Sequence, residues 1–125
     1  MSKESLRLGK TGEDEAVDFL RSCGYKILKR NYKNKLGEID IIATDKDTVC
    51  FVEVKSRTND RFGLPEEAVN RFKQDQISKV ALCYLKENKL FDQSARFDIV
   101  SIDRSRDPSV KIIKNAFELD ERYSP

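Results

Sequence analysis

The sequence predicts an α/β fold, a mixed β-sheet flanked by helices in the order α-β-β-β-α-β-β. Three observations predict it. Apolar residues recur at helical spacing in two segments, one near the start and one past the middle. Strand-like runs rich in branched and aromatic residues fill most of the remainder, and Gly, Asn and Asp clusters punctuate them. The chain has 125 residues, 38% of them hydrophobic, which suits one domain around one core.

The first helix is expected from about Thr11 to Cys23. Thr11 is a good N-cap with Asp14 three residues on, and Gly24 is a natural stop. Ala16, Phe19, Leu20 and Cys23 form its apolar face. Tyr25 to Tyr32 mixes apolar and basic residues, as a half-exposed strand does. Lys33 to Gly37 reads as a turn. Glu38 to Thr44 and Thr48 to Ser56 form a hairpin around Asp45-Lys46-Asp47. Arg57 to Leu64 is a polar loop. Pro65 opens a helical region to about Asn88, with Ala68, Phe72, Ile77, Val80, Ala81, Tyr84 and Leu85 on its apolar side. Arg96 to Asp103 and Val110 to Ala116 close the chain as two strands.

Composition excludes several function classes. No apolar run approaches the ~20 residues of a membrane-spanning helix, and the N-terminus lacks the apolar stretch of a secretory signal. The three cysteines, Cys23, Cys50 and Cys83, are widely spaced in apolar stretches. They suit a reduced, cytoplasmic protein with thiols packed as small hydrophobes. The chain contains no histidine. Ser-His-Asp and Cys-His catalysis and the usual zinc-hydrolase ligand sets are therefore absent. Acid–base or metal chemistry must come from carboxylates, Lys, Tyr or water. The 24 Lys+Arg against 22 Asp+Glu leave a net charge of +2, so the distribution of charge matters more than its sum.

Two strands carry charges where a buried strand should have none. Glu53 follows Val49, Cys50, Phe51 and Val52, and Asp40 lies between Ile39 and Ile41. A carboxylate in such a run costs several kcal/mol, roughly 3–5, unless paired or metal-bound. Residues two apart on a strand share a face, so Glu53 and Lys55 do. If the hairpin pairs as its turn suggests, the Asp40 and Glu53 carboxylates approach each other. Two such charges need a cation between them, and oxygen donors select Mg²⁺ or Mn²⁺. The backbone carbonyl of Val54 offers a further ligand. The plain alternative is a structural salt-bridge cluster at a strand end.

Asp40, followed after residues 41–52 by Glu53-Val54-Lys55, resembles the D…(D/E)-x-K core of the restriction-endonuclease-like superfamily. More closely, the chain resembles the YraN family of small bacterial proteins, related to Holliday-junction resolvases. The stretches that carry this are Gly9-x-x-Gly12-Glu13-x-x-Ala16, Gly24-Tyr25-x-Ile27-Leu28-x-Arg30-Asn31-Tyr32, Gly37-Glu38-Ile39-Asp40, Phe51 to Arg57, Arg61-Phe62-Gly63 and Arg96-Phe97-Asp98. The superfamily's first motif is often Pro-Asp, whereas Ile39 precedes Asp40 here.

The resemblance implies a single nuclease domain over residues 1–125 with a restriction-endonuclease-like sheet. Asp40 and Glu53 would hold the metal. Lys55 would orient the attacking water and stabilise charge on the phosphate. Glu13 falls where resolvase-like enzymes carry an extra acid, although a first-turn acid also suits the helix dipole. Arg57, Arg61, Arg71 and Lys73 follow the site and would line a phosphate track. The expected activity is a Mg²⁺- or Mn²⁺-dependent endonuclease on DNA, branched or structured, with no membrane partner. A homodimer would match a two-fold symmetric junction. Two other classes stay open: a nucleic-acid-binding module that cuts nothing, and an interaction protein in DNA processing or translation.

Overall fold

The computed structural model describes residues 3–57 and 69–118, with side chains described over 12–56 and 69–118. The expected element order is observed: α1 (Lys3–Ser22), β1 (Lys26–Asn34), β2 (Gly37–Asp45), β3 (Thr48–Arg57), α2 (Arg71–Glu87), β4 (Ser94–Asp103) and β5 (Val110–Phe117). The strands form one five-stranded sheet in the order β1-β2-β3-β4-β5. The β3–β4 pair is parallel and the other pairs are antiparallel, so the sheet is mixed. This is the α/β class that the alternating patterns predict.

Each helix covers one face of the sheet. Ala16, Val17 and Leu20 of α1 pack with Ile41, Ala43, Cys50, Val52, Val100 and Ile102. Ile77, Val80, Ala81, Tyr84 and Leu85 of α2 pack with Ile42, Val49, Phe51, Phe97 and Ile99. Covering both faces explains why β3 reads as an almost unbroken apolar run.

The ends of the helices correct two expectations. Helix α1 begins at Lys3, so Thr11 lies within it and not at an N-cap position. Glu4, Leu6, Arg7 and Leu8 are good helix formers that extend the helix backwards past the local Thr11 signal. Gly12 sits inside α1 because a Cβ there would come within 3.1 Å of the Ser56 hydroxyl on β3. The other end is as expected. Gly24 takes φ +92°, its N–H donates to Arg21, and the Tyr25 N–H donates to Leu20 at 2.9 Å. These are the two bonds of a Schellman stop. Cys23 lies beyond the helix and is exposed, unlike the buried Cys50. The expected helix start at Pro65 and the loop before it lie largely outside the described residues. Helix α2 starts after Asn70, whose side chain accepts from the Lys73 N–H.

One irregularity shapes the site. Tyr32 and Ile39, paired across β1 and β2, belong to the α2 face. Arg30 and Ile41, also paired, turn to the α1 face, where Arg30 meets Asp14. Residues two apart should share a face, so alternation reverses between them in both strands. At the reversal stands Asn31, at φ +53°, opposite Asp40. Asn tolerates this left-handed conformation better than most residues.

Candidate active site

The backbone ladder between β2 and β3 reaches as far as Ile41 and Val52. Continued by one step, it sets Asp40 opposite Glu53. There the Asp40 side chain takes over, and its Oδ2 accepts from the Val54 N–H at 2.8 Å. A carboxylate thus stands where a backbone carbonyl would continue the ladder, held at the margin of the sheet.

Glu53 points to the α2 face and is only 8% exposed. Two lysines reach it. Lys73, in the first turn of α2, lies 3.0 Å from Glu53 Oε1. Lys55, two residues along β3, lies 3.8 Å from the same oxygen. Burial raises the Asp40 pKa, the neighbouring Glu53 charge raises it further, and the value reaches about 6 despite the Val54 hydrogen bond. Burial and the Lys73 charge together lower the Lys55 pKa, although Glu53 opposes them. Burial would also lower Lys73, but its hydrogen bond and attraction to Glu53 prevail and its pKa is raised.

The expected residues are distributed as follows. Asp40, Glu53, Lys55 and the Val54 backbone come together. Lys73, expected on a phosphate track, joins them as an ion-pair partner of Glu53. Glu13 accepts from Asn31 at 2.8 Å and pairs with Arg30 at 3.5 Å. It thereby contacts the residue opposite Asp40 without being among the main influences on the Asp40 charge. Glu38 is exposed and adds to the negative field at Asp40. Arg71 is exposed at the start of α2. The Arg57 side chain and all of Arg61 lie outside the described residues.

Lys111 was missed. Lys55 pairs with Ser101, and Ser101 with Lys111, so the three form one row across β3, β4 and β5. Lys111 shares the strand face of Ile113, which packs toward α2. Two-residue alternation in β5 was the available signal. For Lys73, the signal was a helix start with basic residues and no acid in its first turn, an arrangement the helix dipole disfavours.

The donor set suits a hard cation. Two carboxylates and a nearby backbone carbonyl supply oxygens only. Among the described residues there is no group of three or more His, Cys, Asp or Glu side chains placed to hold a metal. Such a site fits an ion that retains several waters, as Mg²⁺ does. The site also lies toward the carboxyl ends of the parallel strands β3 and β4, where ligands commonly bind in open α/β sheets. Among the described residues, no helix is long and apolar enough to cross a membrane.

A UPF0102 protein of Syntrophus aciditrophicus is 49% identical over 117 residues, covering 93% of this chain and 92% of its own. One from Persephonella marina is 46% identical over 112 residues, covering 90% and 94%. One from Clostridium kluyveri is 45% identical over 115 residues, again covering 90% and 94%. The crystal structure of SSO0001 aligns with TM-score 0.47 at 20% identity over 96% of this chain, which spans 56% of the SSO0001 chain. The pattern of the Uncharacterised protein family UPF0102 matches residues 12–102. With these relatives it bears out the YraN resemblance at the level of family: the chain belongs to UPF0102.

Proposed function

We propose that this chain is a restriction-endonuclease-like, Mg²⁺- or Mn²⁺-dependent endonuclease that cuts DNA phosphodiester bonds, in branched or structured DNA. One observation carries the reading. Asp40 on β2 is fixed by the Val54 N–H beside Glu53 on β3, near enough for Glu53 to raise the Asp40 pKa, and two lysines converge on Glu53. A fold seeking only stability gains little from buried like charges, whereas perturbed acids beside cations are common at reactive sites.

In this reading Asp40, Glu53 and the Val54 carbonyl hold the cation. When bound, it would neutralise charge on the phosphate and its leaving oxygen. The Val54 N–H fixes the Asp40 carboxylate. Lys55, whose pKa is lowered, orients the attacking water and stabilises developing negative charge. Glu13 acts through Asn31 on the strand position facing Asp40. Arg71 and Lys111 extend a cationic track for the phosphate backbone, and Arg57 and Arg61, which follow the site in sequence, are proposed for the same role. A cytoplasmic homodimer would present two such sites to a two-fold symmetric junction.

Cleavage of a labelled four-way junction, with duplex and single-stranded controls, tests this directly. Wild type should cut in Mg²⁺ or Mn²⁺ at low salt, and chelation should stop it. Asp40→Ala and Lys55→Ala should each lose roughly a hundredfold or more. If wild type binds nucleic acid but cuts none of these substrates with either metal, the chain is a binding module and the nuclease reading falls.

A further inference from the structure

Among the described residues Lys73 makes the closest ion pair at the candidate site, and its position is locally unfavourable. It lies in the first turn of α2, where the positive end of the helix dipole repels an ammonium. What holds it is Glu53, 3.0 Å away and almost fully buried. In the metal-site reading Glu53 is also a ligand of the divalent cation, together with Asp40. An ammonium and a divalent cation both draw on the charge of this one carboxylate, and each repels the other.

We propose that Lys73 is the resident counter-cation of Glu53 and competes with the divalent metal for it. The inference rests on the metal-site reading and adds a positioning residue that sets the affinity of the site. Without metal, Lys73 keeps Glu53 from standing buried and uncompensated. On loading, the ammonium gives up this contact. Lys55 also faces Glu53, but at 3.8 Å it is the looser partner. A general field effect would make the two lysines equivalent, whereas direct competition makes Lys73 the stronger.

Calorimetric titration of the full chain with Mn²⁺, without nucleic acid, separates these cases. Wild type would be compared with Lys73→Met, Lys55→Met and Glu53→Gln. Lys73→Met should bind Mn²⁺ roughly fivefold or more tightly than wild type, because no ion pair must first be broken. Lys55→Met should gain less, and Glu53→Gln should lose binding. Thermal melts give the second readout: Lys73→Met should melt lower without metal, and Mn²⁺ should raise its midpoint more than that of wild type. Lys73→Gln stands in if the Met variant does not fold. If Lys73→Met binds no more tightly than wild type, or gains no more than Lys55→Met, the competition is refuted. The metal-site reading survives that result provided Glu53→Gln still loses binding. If no variant binds Mn²⁺, both fall together.

Discussion

Two polar clusters are built into this sheet, on opposite faces and toward opposite ends of β3 and β4, and they obey different rules. On the α1 side, the fully buried Asp98 side chain accepts from Arg96 Nε at 2.9 Å, from the Tyr25 hydroxyl at 3.2 Å and from the Asn115 N–H at 2.9 Å. Arg96 also donates to Asp45 at 2.9 Å. Charges alternate in sign, and each ion strengthens the next. The hydrogen bond from Arg96 lowers the Asp45 pKa, while burial raises that of Tyr25. On the α2 side Glu53 pairs with Lys73 and Lys55, but like also stands by like: Asp40 by Glu53, and Lys55 by Lys73. The first cluster is satisfied within the protein. The second would be relieved by an added cation. A buried polar group therefore signals function less by being charged than by being left in conflict.

The sharpest way to break this comparison is to remove one carboxylate from each cluster. Asp98→Ala leaves Arg96 without its main partner and should cost about 3–5 kcal/mol in urea unfolding. Glu53→Gln should cost much less. Equal losses would mean that both clusters are structural, and the functional reading of the Asp40 end would fail.

A subtler test uses pH. Asp40 has a folded pKa of about 6 against its ordinary value of 3.8. Between these values the folded state holds its proton more firmly than the unfolded state. Wild type should therefore lose stability as pH rises through that window, with no further loss from this group above it. Asp40→Asn keeps an acceptor for the Val54 N–H but cannot ionise. It should become more stable than wild type by about 1–2 kcal/mol by pH 7, in metal-free buffer. Asp45 has the opposite sign: its pKa is lowered, so its contribution is lost as pH falls. An Asp40→Asn protein less stable than wild type at neutral pH would show that Asp40 is a structural ion after all.

The element order and the Asp40, Glu53 and Lys55 grouping were legible in the sequence because both rest on short-range periodicity. Alternation in a strand tells which side chains share a face, and the hairpin turn fixes the rough register. The start of α1 was not legible: Thr11 and Asp14 mimic a cap, and only the continuing helix around them reveals that they lie inside it. Lys73 could be placed on the helix but not against Glu53, because that contact depends on how α2 crosses the sheet. The reversal at Asn31 and Asp40 was hidden for a similar reason. A left-handed Asn leaves no periodic trace, and it reverses alternation in the two strands that carry the first acid.

That reversal offers the smallest and most local test of the comparison. If Asn31 is there for its conformation, Asn31→Gly should be nearly neutral, since Gly accepts positive φ at no steric cost. Asn31→Ala should cost about 1–2 kcal/mol more than Asn31→Gly, because both lose the hydrogen bond to Glu13 and only Ala meets the left-handed penalty. If the hydrogen bond matters more than the backbone, Gly and Ala should cost alike. The Asp98 cluster depends on Asn115, also at φ +53°, where a backbone N–H reaches the carboxylate directly. At the Asp40 end, the left-handed residue instead sends its side chain away to Glu13 on α1. Asn31 thus gives Asp40 no second donor, and the carboxylate keeps the charge a metal ligand needs.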